Sequence, residues 1–184
     1  MSKLELAPSE SLYPVPVVLV SCQAKGAANI ITIAWCGVVC SKPPLLSVSI
    51  RPSRYSHKLI SQTGDFVINI PTRDLLKEID LCGTVSGRDK DKFELCKFTK
   101  IGSSIVRSPM VKECPVNIEC KLTKILSLGA HDMFIGTVVK VHADESVLDK
   151  GGNIDYSKAG PVVYNQGEYW SLGKKIGRYG FSVK

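Results

Sequence analysis

The chain has 184 residues, 44% hydrophobic and 22% charged, with 24 Lys and Arg against 17 Asp and Glu for a net charge of +7. That length fits one domain spanning 1–184, and the composition is that of a globular protein, not a disordered or fibrous one. No apolar run reaches the roughly 18 residues of a membrane helix, and MSKLELAPSES at the start lacks the apolar stretch of a secretory signal, so a cytoplasmic protein with no membrane association is expected.

In chain order, Val15 to Cys22 reads as an apolar strand. Residues 30–36 and Leu45 to Ile50 form two more, separated by the breaker Lys42-Pro43-Pro44. The first of these two arms carries an amide, a hydroxyl, an indole and a thiol, on Asn29, Thr32, Trp35 and Cys36, which is unusual for a buried strand. Ser53 is placed to cap a helix running to Thr63, with Gly64 as its stop, and Tyr55, Leu59 and Thr63 share a face at i, i+4 spacing. Phe66 to Ile70 returns as a strand. Thr72 is placed to cap a second helix over RDLLKEIDLCG, with Asp74 in its first turn and Gly83 at its end.

SGRDKDKF then reads as a polar loop. The segments VNIECKLTKILSLG and HDMFIGTVVKVHAD form the clearest hairpin, joined at Gly129-Ala130. YSKAGPVVYNQGEYWSLG supplies two short strands around Asn165-Gln166-Gly167. Strands outnumber helices, and closing such a sheet removes its exposed edges. The expected fold is mainly β, a single antiparallel Greek-key barrel with a few peripheral helices; composition alone does not separate a barrel from a sandwich.

Several chemistries lack their signatures. There is no Walker loop, no G-x-G-x-x-G after a strand and no G-x-S-x-G elbow, and His57, His131 and His142 are too far apart in sequence for a local metal motif. The seven cysteines are odd in number and contain no C-x-x-C pair, which argues against a disulfide framework or a structural zinc site. The positive residues are scattered, without a long Lys/Arg block or the aromatic motifs of RNA-binding sheets, so nucleic acid is not an expected partner. A non-enzymatic nucleic-acid-binding barrel is the alternative from a different class.

The segment IRPSRYSHK, residues 50–58, is more suggestive. It sets Arg51, Arg54, Ser53 and Ser56 at a strand end that leads into a helix, where free backbone N–H groups and the helix dipole favour a phosphate. The other reading is a solvated loop before a capped helix.

The run NIITIAWCGVVCSKPPLLSVSIRPSRYSHKLISQTGDFVINIP, followed in order by SGRDKDKF, HDMFIGTVVKV and GPVVYNQGEYWSLGKKIG, resembles the flavin reductase-like, FMN-binding split-barrel family, nearest its flavoredoxin members. The resemblance spans about Pro14 to Gly177 and implies a split barrel that holds FMN along the strand from Asn29 to Cys36, through Ala34, and in the turn after it. By this resemblance Asn29 and Thr32 face the ribityl and phosphate side, and Trp35 and Cys36 flank the ring. Arg54 and Ser56 are phosphate contacts, with the backbone near Ile50 and Arg51. Asn69 supports the site, Lys92 approaches the N1–C2=O rim of the flavin, and His131 and Tyr164 border the cofactor or its access path. Cys36 is expected to line the flavin without redox chemistry, since Cys40, four residues on, does not make a standard redox pair with it. The resemblance further implies a homodimer with the flavin near its interface. Within the family two roles compete: electron transfer with a protein donor or acceptor, and NAD(P)H-dependent reduction of flavin or another acceptor.

Overall fold

The computed structural model of the chain describes residues 1–183. Its strands, in order, are β1 (Val15–Pro16), β2 (Val18–Ala24), β3 (Ala27–Ile33), β4 (Cys36–Ser41), β5 (Pro44–Ile50), β6 (Asp65–Ile70), β7 (Lys100–Ile101), β8 (Met110–Val111), β9 (Val116–Ser127), β10 (Asp132–Ala143), β11 (Val162–Asn165) and β12 (Glu168–Ser171). The α-helices are α1 (Tyr55–Thr63), α2 (Leu76–Thr84), α3 (Lys92–Leu95) and α4 (Tyr156–Ala159). None is long and apolar enough to cross a membrane.

Seven strands make one antiparallel sheet in the order β3-β2-β6-β9-β10-β5-β4. β3 and β4 are neighbours in sequence but opposite edges of this sheet. Laid flat, those edges would stand six strand spacings apart, roughly 29 Å at about 4.8 Å each. The link from Ile33 to Cys36 contains only Ala34 and Trp35 and reaches at most about 11 Å. The sheet therefore has to curl until its edges come together. Among the described residues β3 pairs only with β2 and β4 only with β5, so no ladder joins the two edges and a split remains.

The concave face packs Val20, Ile31, Val48, Phe66, Cys120 and Phe134 with Leu59 and Ile60 of α1. The opposite face of β2 and β3 carries Leu19 and Ile30, covered by Ile79 and Cys82 of α2 and by Phe93, Cys96 and Phe98. Alternation along each strand thus supplies both cores, the period-two pattern of a sheet buried on two sides.

The expected mainly β split barrel is present, with local differences. The first arm is not one strand to residue 36. β3 stops at Ile33, the chain bends at Ala34-Trp35, and β4 then pairs with β5 across the Lys42-Pro43 turn. β2 runs two residues further than expected, to Ala24, and meets β3 in a two-residue turn at Lys25 (φ 50°) and Gly26 (φ 81°), the doubly left-handed form that suits tight hairpins. Helix α1 ends at Gly64 as expected, but Arg54 holds its N-cap position and no side chain caps it. Thr72 does not cap the next helix by its side chain: a 3-10 turn at Arg73–Leu75 precedes α2, and Gly83 lies inside α2. The polar loop SGRDKDKF folds at its end into α3, because Asp91 caps it by accepting from the N–H groups of Phe93 (2.8 Å) and Glu94 (3.3 Å).

Buried polar groups pin the outer face. The Glu119 carboxylate accepts from the N–H groups of Ser104 (2.7 Å), Ile105 (2.7 Å) and Val106 (2.9 Å) and bonds His142 Nε2 at 2.6 Å. Asp65 accepts from the N–H groups of Arg107 and Ser108, both at 3.1 Å. Two carboxylates thereby hold the 104–108 loop against the sheet. Burial by itself raises the Glu119 pKa, but the bonds from His142 and the three amides outweigh it and leave it below the ordinary value. A depressed carboxylate pKa stabilises the fold above the unfolded-state value and loses that contribution as pH falls through the folded value. Glu119→Gln should therefore cost roughly 1.5–3 kcal/mol at pH 7, the scale of hydrogen bonds to a charged group, and should flatten the loss of stability below the ordinary glutamate range. Urea denaturation across that pH range checks both.

Candidate functional site

Two adjoining cavities lie along the β3 side of the split. The larger, about 340 Å³, is walled by the β3 edge from Ile31 to Ala34, by Trp35, by Ser49 to Arg51 at the end of β5, and by His131 and Tyr164. The smaller, about 210 Å³, is lined by Asn29, Ser56, Ser86, Gly87, Arg88 and Lys92, among others. Ile31, Arg54 and Gly83 line both, so the two are adjacent.

The larger cavity is aromatic on one side. Trp35 and His131 have ring centroids 4.4 Å apart. Trp35 is placed there by the edge-to-edge link, and its carbonyl is held by Ser49 N–H at 2.9 Å. Arg51 Nε–H donates to His131 Nε2 at 3.3 Å, which requires that nitrogen to be unprotonated. Burial, and then the Arg51 charge, push the His131 pKa down, in keeping with a neutral ring. Tyr164 packs between Tyr13 and Tyr169, with centroids 6.0 and 6.1 Å away. The Ile50 side chain lies fully in the barrel core, which leaves its backbone for the cavity wall.

The smaller cavity is cationic and hydroxyl-rich. Arg54, Arg88 and Lys92 line it together with Ser53, Ser56 and Ser86, and none of its lining residues is acidic. Asn29, buried on β3, donates from Nδ2 to Ser56 Oγ at 2.9 Å, which ties the strand to the first turn of α1. The 85–88 loop sits directly on that amide: a Cβ on Gly87 would come within 2.1 Å of Asn29 Oδ1, so a glycine is needed for the loop to close the cavity. Lys92 is only 3% exposed. Its Nζ donates to the Cys82 carbonyl at 2.7 Å, and no carboxylate pairs with it among the described residues. Burial lowers its pKa, and the nearby Arg54 charge acts in the same direction.

Most of the residues singled out in the sequence meet here. Asn29, Arg54, Ser56 and Lys92 line the smaller cavity, and Thr32, Ala34, Trp35, Ile50, Arg51, Arg54, His131 and Tyr164 the larger. Four of them make contacts of their own. Lys92 lines the smaller cavity with Asn29 and Ser56, and the larger one, with Trp35, does not include it. Thr32 lies on the larger cavity, and its hydroxyl donates to the Ile79 carbonyl at 2.5 Å, anchoring α2. Cys36 lines neither cavity: it packs on the barrel core, and burial pushes its thiol up to about 12. Asn69 lines neither cavity either. It is a buried junction that donates to the Leu19 carbonyl and Ser21 Oγ, both at 2.9 Å, and accepts from Val111 N–H (3.0 Å) and Asn117 Nδ2 (2.8 Å).

Gly87, Arg88 and Ser86 were not singled out, although they stand in the SGRDKDKF segment; a Ser-Gly-Arg triplet just before Lys92 was the available signal. Glu10 and Tyr13, which reach the larger cavity from the N-terminal segment, carry no local signature.

Comparison with known proteins places this geometry. The structure superposes on the flavoredoxin of Desulfovibrio vulgaris (Miyazaki F) with a TM-score of 0.92 at 34% identity, covering 99% of each chain. Against the flavoredoxin from Methanosarcina acetivorans the TM-score is 0.93 at 30% identity, with both chains fully covered. An uncharacterised protein of Archaeoglobus fulgidus is 35% identical over 147 residues, 80% of this chain and 82% of the relative. A family model described as "Flavin reductase like domain" matches residues 10–173, and the chain belongs to that family.

Proposed function

We propose that the chain binds FMN across the two cavities and works as a redox protein, either carrying electrons between proteins or reducing an acceptor with electrons from NAD(P)H. The observation that supports this most is Lys92, a buried ammonium without a counter-ion among the described residues. Buried charges are normally paired, because an isolated one loses its hydration without compensation. Lys92, Arg54 and Arg88 together form an acid-free pocket that a phosphate would neutralise. The aromatic cavity adjoins it at Arg54, an arrangement that suits a planar ring and a single anionic end joined by a short polar chain. When bound, a flavin supplies the capacity to accept and return electrons.

The chain's own residues hold and shield. Arg54 bridges the two cavities, and the Asn29–Ser56 bond keeps β3 and α1 in register around the anion end. Trp35 and neutral His131 wall the ring side, and Trp35 remains 38% exposed, so a nicotinamide or a partner protein has an approach. The likeness to two flavoredoxins favours the electron-carrier role. Exposed Val38, Leu128, Trp170 and Ile176 favour a homodimer that covers them.

The purified protein should hold about one FMN per chain, released by acid, with FAD bound far more weakly. Recovery of FAD alone, or of no flavin after reconstitution, overturns the reading. Anaerobic mixing with NADH and NADPH then separates the roles: rapid bleaching identifies a reductase, and bleaching only by a reduced protein donor identifies a carrier. Sedimentation of the same sample should give the mass of two chains.

Two substitutions test the anion end. Arg54→Ala should weaken FMN binding by roughly 1.5–3 kcal/mol, the scale of a hydrogen bond to a charged group, while riboflavin, lacking phosphate, loses much less. Equal losses would remove Arg54 from the phosphate. Gly87→Ala should displace either the Asn29 amide or the 85–88 loop and weaken FMN at least tenfold. Unchanged affinity by fluorescence titration would show that the loop does not close on the ligand.

A further inference from the structure

Cys82 and Cys96 lie in contact, with sulfur atoms 3.6 Å apart, and neither is in a disulfide. Cys82 is near the end of α2 and Cys96 is at the C-cap of α3. The segment between them, residues 83–95, contains Gly83, Ser86, Gly87, Arg88 and Lys92, one whole wall of the cationic cavity. The same wall is fastened to Cys82 a second time, through the bond from Lys92 Nζ to its carbonyl. We infer that Cys82 and Cys96 form a reversible disulfide, and that its closure braces this wall. The bracing part rests on the FMN reading above; the disulfide does not.

A disulfide has an S–S length of about 2.05 Å, so the sulfurs must approach by roughly 1.5 Å. Cys96 follows the four-residue helix α3, and a small shift of that helix along its packing on Cys82 would bring the sulfurs together. Both sulfurs lie in an apolar cluster with Ile79 and Phe93, where a disulfide is as well accommodated as two thiols. Cys96 is 7% exposed and Cys82 is 0%, so an oxidant reaches Cys96 first.

With a peroxide as oxidant, the Cys96 sulfur attacks one oxygen, an S–O bond forms, and the O–O bond breaks to release water. The Cys82 sulfur then attacks the sulfenic sulfur, the S–S bond forms, and the S–O bond breaks to release a second water. The pair loses two electrons and two protons, and the peroxide gains both. Burial raises the pKa of both thiols, which makes this slow and restricts it to sustained oxidant. The linked loop then has fewer open conformations, and the cavity wall is organised before the ligand arrives.

The test treats the FMN-loaded full chain with hydrogen peroxide, alkylates the remaining thiols and maps peptides without reductant. The expected result is a Cys82–Cys96 linked peptide lighter by two hydrogens, reversed by dithiothreitol, together with FMN release slowed several-fold. No such link at doses that oxidise the partly exposed Cys36 and Cys40, or a link to another cysteine, overturns the inference. A link with unchanged FMN release overturns the bracing. Cys82→Ser should abolish both effects; if that variant does not fold, the wild-type peptide map decides. A protein that forms the link but never takes FMN sinks the functional reading and not the disulfide.

Discussion

The structure depends on a two-residue link. Ala34 and Trp35 must carry the chain from one edge of a seven-stranded sheet to the other, and that length is affordable only if the sheet rolls up. From this follow the closed barrel, the unsealed seam between β3 and β4, and the place of the cavity at that seam. The tryptophan stands in the cavity because it stands in the link. An unpaired sheet edge is usually a liability for aggregation; here one cavity is built against it.

Buried polarity is divided between support and site. Asn69, Asp65 and Glu119 are fully used by protein partners, and each joins separate elements: β2 to β6 and β9, and the 104–108 loop to the sheet. Lys92 is buried as deeply, but beyond its bond to the Cys82 carbonyl no carboxylate among the described residues pairs with its charge. The first kind of group is satisfied by folding alone, and the second remains in deficit after folding. This difference, more than the choice of residue types, separates the scaffold from the site.

The strands and the long hairpin were legible in the sequence because they alternate and turn at Gly129-Ala130, whereas the split barrel itself came from the family resemblance. The kink at Ala34-Trp35 was not, since Ile, Thr, Trp and Cys are all good strand formers and the bend is imposed by topology. The cationic, hydroxyl-bearing lining of the smaller cavity was legible from Arg54 and Ser56, whose position before a helix has a local meaning. Asn69 and Cys36 illustrate the limit: an amide in an apolar strand signals a polar contact without saying with what, and a thiol next to a cavity residue faces the other way because strand side chains alternate. The 85–88 loop was passed over because a glycine's close approach to Asn29 depends on a contact far away in sequence.

The chain's two tryptophans are divided between the site and the surface. Trp35 lies tilted against His131 in the wall of the larger cavity, and Trp170 lies 55% exposed on β12, its indole N–H on Glu168. Intrinsic emission is therefore a sum of two unlike signals, a partly shielded indole beside an imidazole and a wetter one far along the chain. With Trp170 replaced by phenylalanine, the protein would carry its own optical gauge of the seam, reading the packing at the sheet edges without an added dye.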